Sequence, residues 1–325
     1  MRASTPIPPL TLLAALTCVA GLTSPATEPL AAQDPECSAF NGDSRRICDA
    51  ALDGTRAFHP AAGLLVSGGN PVIGTASTLG GLGRFSITVR ANAADIVVPD
   101  PAYDGSPGEV PSSEELYAPV PLLEGAAGIY EGLPSGLLSV DVLASAQLLP
   151  TNQVDDLTVD PDARRIGDVA LGFGYGVRVG VLRDEGPLPA VSVSAMRRHL
   201  PRLAYGDLDD GDAFRYGVDL KALNLRLVAS KQLATLQLAA GVGWDRYTGE
   251  ADVVLRGEPS EAISVDLEDS RTLAFVNVGL DLAAVSLVGE AGYQGGRDQE
   301  LTTDFEDYDT TSGKFFAGLG LRLGF

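Results

Sequence analysis

From about residue 82 to the end of the chain, apolar and polar positions alternate in one stretch after another, the pattern of a strand with two unlike faces. In RFSITVRAN, Phe85, Ile87, Val89 and Ala91 share one side, and Arg84, Ser86, Thr88, Arg90 and Asn92 the other. In GDVALGFGYGVRVGVL, Val169, Leu171, Phe173, Tyr175, Val177 and Val179 oppose Asp168, Gly172, Gly174, Gly176 and Arg178. The closing run GKFFAGLGLRLGF sets Phe315, Ala317, Leu319, Leu321, Leu323 and Phe325 against Gly318, Gly320, Arg322 and Gly324. The same period runs through 139–147, 191–195, 235–245, 276–282 and 286–294. Over 214–227 the phase changes: Phe214, Tyr216, Val218 and Leu220 oppose Arg215, Asp219 and Lys221, whereas Leu223, Leu225 and Leu227 oppose Asn224 and Arg226. A β-bulge near Ala222 is the expected cause. Ten strands are read in this way, and AGLLVSGG and NPVIGTAST are expected to add two more or to form a plug.

The links between strands alternate in length. Short ones fall near 132–135, 184–187, 231–233 and 283–284, and long polar ones at 100–117, 150–163, 200–212, 249–269 and 295–312. Such alternation is that of an up-and-down meander with turns on one rim and loops on the other. A soluble sandwich or barrel would point its apolar faces inward and a Lys-, Glu- and Thr-rich face to water. Here the polar faces are mostly glycine and small residues with few charges. Those charges balance: Arg84, Arg90, Arg178, Lys221, Arg226 and Arg322 against Asp141, Asp168, Asp219, Asp245, Asp281 and Glu290. Balanced ions suit a narrow lumen, in which an unmatched charge is costly. Several runs also reach the ~9–11 residues that a tilted membrane strand needs. The expectation is an all-β, antiparallel, up-and-down transmembrane β-barrel of 10–14 strands, with 12 the best single value.

Composition adds the partners. The net charge of -20 excludes nucleic acid, whose phosphates require clustered Lys and Arg. Most of the acidic residues lie in the long links, where only Arg202, Arg256 and Arg297 oppose them, so one rim is expected to be strongly acidic. DLDDGD and DFEDYD could bind divalent cations weakly there, although neither has EF-hand spacing. Outer-membrane lipid and lipopolysaccharide are expected to surround the wall, with Arg197, Arg198 and His199 at the interface. Tyr130, Phe173, Tyr175, Tyr216, Trp244, Tyr293 and Phe325 are candidates for aromatic girdles. No metal, cofactor or enzymatic activity is expected. The sole catalytic candidate is His199 near Asp207, Asp209 and Asp210, as a pair that could activate water.

At the start, Arg2 followed by an apolar run from Leu10 to Leu22 and then small residues reads as a signal peptide, residues 1–32, cut between Ala26 and Gln33. In an exported chain, Cys37 and Cys48 on either side of a short helical stretch read as one local disulfide. Residues 33–60 are therefore expected to form a periplasmic helical or plug segment, and 61–325 the barrel.

The ending resembles the C-terminal signal of bacterial outer-membrane β-barrel proteins, with Gly320, Leu323 and the terminal Phe325 in its positions. The polar residue common shortly before that glycine is missing, since Gly318 and Leu319 stand there. The resemblance implies recognition by the barrel assembly machinery and location in the outer membrane of a Gram-negative-type bacterium. GGNPVIGTASTLGGLGRFSITVR also looks like the plug region of porin-like proteins related to fatty-acid transporters, which implies passage of hydrophobic small molecules. The functional expectation is a passive porin-like channel or a structural surface protein. A plug-gated transporter of hydrophobic compounds and a soluble secreted binding barrel are the alternatives.

Overall fold

The computed structural model describes residues 34–117, 119–133, 137–150, 157–159, 163–166, 169–257, 262–306 and 308–325. Its strands are β1 (Phe85–Pro99), β2 (Ser112–Tyr117), β3 (Val120–Tyr130), β4 (Ser139–Pro150), β5 (Leu157–Val159), β6 (Arg165–Ile166) and β7 (Val169–Leu182). They continue as β8 (Ala190–Tyr205), β9 (Phe214–Leu233), β10 (Leu236–Leu255), β11 (Ile263–Leu282), β12 (Val285–Gln294) and β13 (Lys314–Gly324). Among the described residues ten of them, β1, β3, β4 and β7–β13, pair antiparallel in sequence order and close on themselves through β1 and β13. The short β2, β5 and β6 pair with the loop-side ends of β1, β8 and β7. The expected count of 12 is corrected to ten, because AGLLVSGG is the end of a helix and NPVIGTAST a turn-rich segment inside the barrel.

The outer surface of the wall is apolar over one band. On β13, Phe315 and Leu319 are 75 % and 63 % exposed, whereas Phe316, Gly318 and Gly320 face inward and are buried. On β10 the outward side chains are Leu236, Leu238, Ala240, Val242 and Trp244, nine residues from first to last. A tilted strand of that length spans roughly the ~25 Å apolar height of an outer-membrane barrel. No soluble sheet presents such a belt to water, so the soluble-barrel alternative is set aside.

Beyond the band the polarity inverts. The next outward residues of β10 are Arg246, Thr248, Glu250 and Asp252, while Tyr247, Ala251, Val253 and Leu255 turn inward and are buried. On β9 the inward face runs without interruption from Phe214 through Tyr216, Val218, Leu220 and Ala222 to Asn224 and Arg226. The β9–β10 register does not shift, so the expected bulge at Ala222 is absent. What changes there is the solvent: lipid outside and polar groups inside below Ala222, water outside and an apolar core inside above it. Strand structure accordingly extends to Leu255 on β10 and begins again at Ile263 on β11, within the expected 249–269 loop. The register shift on this wall lies in β8, between Leu200 and Leu203.

The core that fills the loop-side half of the barrel is a helix. The chain opens with a 3-10 turn (Pro35–Ala39) and α1 (Gly42–Ser67), and a disulfide joins Cys37 to Cys48 with Cα atoms 5.8 Å apart. The described residues from 34 onward form one compact unit, with no boundary at residue 60. Nor does the segment stand apart from the barrel. Asp53 accepts bonds from Thr302 and Thr303 of the last long loop, which places the start of α1 at the loop rim, and its end lies among wall residues within the barrel. From Ala50 to Ser67 nearly every residue is buried, on all sides of the helix, because the wall surrounds it. Phe58 meets Tyr216 edge-on at 6.2 Å, and a Cβ on Gly63 would lie 2.4 Å from the Tyr247 ring. Pro60 cannot donate to the Arg56 carbonyl one turn earlier. Gln299 Nε2 donates to that carbonyl instead, at 2.7 Å.

Phe325 completes the closure. Its N–H donates to Phe85 O at 2.9 Å, its carbonyl accepts from Phe85 N at 3.1 Å, and the two rings stack at 4.8 Å. Deleting Phe325 removes both bonds and the stack at the seam, a loss of roughly 2 kcal/mol. The unheated, compact gel band of the purified protein is expected to convert to the unfolded position at lower temperature, and an unchanged conversion temperature would contradict this role.

Candidate functional site

The lumenal site is where α1 ends. The last carbonyls of a helix lack partners in their own backbone and must find them elsewhere. Gly68, with φ +58, breaks α1 by turning the chain, a conformation that favours glycine. The exposed carbonyls are then received by wall side chains. Asn92 Nδ2 donates to Leu65 O at 2.9 Å, Arg90 to Ser67 O at 3.3 Å and Asn70 O at 3.1 Å, and Arg226 to Gly68 O at 2.8 Å. Two guanidinium groups at a helix C-terminus also complement its dipole. The backbone N–H groups that follow need acceptors, and Glu290 supplies both carboxylate oxygens, at 2.8 Å to Gly69 N and 2.7 Å to Asn70 N.

These charges hold one another as well. Arg90 pairs with Glu124 at 3.0 Å and lies 3.6 Å from Glu290. Arg226 pairs with Asp245 through two nitrogens, and Asn224 bridges Asp245 to the Ser67 hydroxyl. Arg198 reaches Glu124 at 3.2 Å and Asn224. Asn277 joins Glu290 to the side chain of Asn70. Below this ring the chain continues toward the turn side. There Arg322 donates to Ile73 O at 2.8 Å, Ser230 accepts from Ala76 N at 2.8 Å, and Asp141, paired with Arg178 at 2.6 Å, accepts from Leu79 N at 3.1 Å.

Of the residues expected to face the lumen, Arg90, Asp141, Arg178, Arg226, Asp245, Glu290 and Arg322 do so and are buried. Asp281 is at the turn-side mouth, bonded to Gln237 and Ser286. Four expected residues are corrected or fall outside. Asp219 and Lys221 point outward above the band, pairing with each other at 3.3 Å, because the inversion on β9 carries them to the water side. Arg84 precedes β1 and is exposed at the rim. Asp168 lies outside the described residues. Among the described residues, further buried ions face the interior: Arg198 and Glu124, and on β11 Asp269 and Arg271. Arg198 shares the inward parity of Ser192, Ser194 and Met196, a signal that period-two counting could have found, and it does not meet lipid. Glu124 sits alone in the apolar run VPLLEGAAGIY, which offers no such cue.

The girdle candidates divide similarly. Trp244, Tyr175, Phe173 and Tyr293 face outward, but Tyr216 is 1 % exposed and belongs to the inner core. His199 also points outward, opposite Lys221, and the structure brings none of Asp207, Asp209 or Asp210 to it. Those carboxylates cap their own loop instead: Asp212 accepts from Asp207 N at 2.6 Å and Asp207 from Asp209 N at 2.9 Å. Among the described residues no group of three or more His, Cys, Asp or Glu is arranged to hold a metal ion.

The geometry is that of an outer-membrane-type β-barrel whose lumen is filled by its own N-terminal segment. No protein-family model matches the chain, and no curated protein sequence matches it. Solved structures share the barrel fold at low similarity. The outer-membrane protease OmpT from Escherichia coli gives 12 % identity and a TM-score of 0.38, over 74 % of this chain and 96 % of that one. The translocator domain of the autotransporter NalP from Neisseria meningitidis gives 10 % and 0.34, over 74 % and 87 %. The N-terminal β-barrel domain of OprF from Pseudomonas aeruginosa gives 9 % and 0.29, over 74 % and 97 %.

Two measurements probe the plug. Glu290→Ala strips Gly69 N, Asn70 N and Asn277 Nδ2 of their acceptor and leaves Arg90 less compensated, at a cost of about 3 kcal/mol or more. The urea midpoint, followed by the fluorescence of the lone tryptophan, Trp244, is expected to fall accordingly. The second concerns His59, which is 2 % exposed on α1 and lies past the apolar band, against Tyr247 and the Thr248 carbonyl. Burial pushes its imidazole down to about 4, against the opposing pull of the Thr248 carbonyl, Asp269 and Asp219. The unfolded chain protonates near 6.5, so this contribution is complete above that pH and is lost as pH falls toward 4, by roughly 3 kcal/mol. The band-conversion temperature is expected to drop between pH 7 and pH 4 in the natural protein and to drop less in His59→Gln.

Proposed function

We propose that the protein is a closed structural barrel of the outer membrane, which holds its own N-terminal helix as a permanent core and presents the disulfide-linked head of that helix at the loop rim. One observation carries the reading: the ions that would line an open pore are the ones that hold the plug. Arg90, Arg226, Glu290, Asp141 and Arg322 all bond to the backbone of residues 67–79. A passive pore would leave such groups to water and solute.

A second reading, the plug-gated transporter, draws support from the chemistry of the lower plug. Residues 68–83 are rich in glycine and are joined to the wall by polar contacts beside one small apolar cluster around Val72, and polar contacts exchange for water more readily than packed side chains do. Planar-bilayer recordings separate the two. The natural protein is expected to insert without steady conductance, and the double variant Arg226→Ala/Glu290→Ala to show frequent openings. Steady conductance in the natural protein would overturn the closed reading. Brief openings of it that respond to a hydrophobic solute would favour the gate.

A further inference from the structure

On a chain with a net charge of -20, the outward face of the wall carries a group of cations beside β7, β8 and β9. On β8, Val191, Val193 and Ala195 face lipid, and the next two outward residues are Arg197 and His199. Arg197 is paired in register with Tyr175, and His199 with Phe173 on one side and Lys221 on the other. The guanidinium of Arg164 lies 5.7 Å over the ring of Phe173. Arg164, Arg197, His199 and Lys221 therefore surround two outward aromatic rings, of which Tyr175 is 68 % exposed. Lys221 is matched by Asp219. Arg197 has neither ion pair nor hydrogen bond among the described residues, and the contact of Arg164 is with the ring. The other outward cations are already held, Arg246 of β10 by Glu268, Arg202 of β8 by Asp252 and Arg215 of β9 by Thr158, and the outward positions of β1, β3, β4 and β11–β13 hold no Lys or Arg.

The height of the patch decides what it meets. Its cations begin where the apolar outward run of β8 stops, and Leu223 of β9, opposite Arg197, still belongs to the band. That is headgroup depth on the loop side. Aromatic rings placed there settle at the interface, and arginine recognises phosphate oxygens with paired N–H donors. We propose that Arg164 and Arg197, flanked by Phe173, Tyr175 and His199, bind the phosphate groups of an outer-leaflet lipid of the lipopolysaccharide type. The inference rests on the outer-membrane reading of the barrel and adds a fixed lipid position on one side of it. Two exposed cations on neighbouring segments, neither held by a carboxylate among the described residues, are free to share one anion.

The test measures binding to the purified, folded barrel in detergent with three probes: lipopolysaccharide, the same lipid enzymatically dephosphorylated, and inorganic phosphate. The natural protein is expected to bind the phosphorylated lipid at least tenfold more tightly than the dephosphorylated one. The Arg164→Gln/Arg197→Gln variant should lose that preference, and millimolar inorganic phosphate should not displace the lipid. Equal binding of both lipids, an unchanged preference in the variant, or displacement by free phosphate would each overturn the proposal. Should the double variant lack the compact unheated band, Arg197→Gln and Arg197→Lys are compared in its place, and only the lysine is expected to keep most of the preference; equal loss in both would count against the site. Insertion of the natural protein into bilayers is scored separately, so a barrel that inserts but shows no phosphate preference refutes the lipid site and leaves the membrane reading standing.

Discussion

A helix that ends inside a narrow barrel cannot leave its last carbonyls to bulk water, and the rest of this structure follows from how that requirement is met. Arg90, Asn92 and Arg226 take the carbonyls of residues 65–70, and Glu290 takes the two N–H groups that come next. Each of those wall residues is itself buried and would be costly if left unpaired. Plug and wall thus satisfy one another. Neither the charged ring without the helix end, nor the helix end without the ring, is an economical structure in a low-dielectric space.

The same division explains the two-faced strands. Over the band the wall meets lipid, so its outer face is apolar, and the inner face is free to carry the ions that grip the plug. Above the band the outer face meets water, and the inner face packs against α1, where Tyr216, Leu220, Tyr247 and Val253 bury apolar surface. One strand serves two environments by keeping its register and exchanging the chemistry of its faces. The close approach at Gly63, where Tyr247 occupies the place of a side chain, shows how tightly the upper half is filled.

Much of the wall was legible in the sequence because a strand that separates lipid from lumen must alternate. The β13 faces, with Phe325 at their end, emerge from the period alone, as do Arg90, Arg178 and Arg226. The disulfide follows from two cysteines in an exported chain. What misled was the assumption of one polarity along each strand. In the sequence, the inversion on β9 has the same signature as a bulge, which puts Asp219 and Lys221 on the apparent lumenal face. The full length of the helix is hidden in the sequence, since Pro60 interrupts it and the mostly apolar run from Ala57 to Val66 does not read as a one-sided stripe. A helix enclosed on every side has no solvent face to leave such a stripe in the sequence.

Chain order adds a last constraint. The plug precedes β1, α1 begins at the loop rim, and β1 begins at the turn rim beside Phe325, so the chain crosses the lumen before it forms any of the wall. The partners that hold the plug lie far along the sequence: Glu290 is separated from Gly69 by 221 positions and Arg322 from Ile73 by 249. Contacts of such separation become available only when the C-terminal strands arrive. The seam between β1 and β13, completed by Phe325, encloses the plug, and the plug in turn neutralises the charges that closure buries. A lesion at the seam and a lesion in the charged ring therefore act on one cooperative unit, although Phe325 stacks on Phe85 at the turn rim while Glu290 acts within the lumen, at the end of α1.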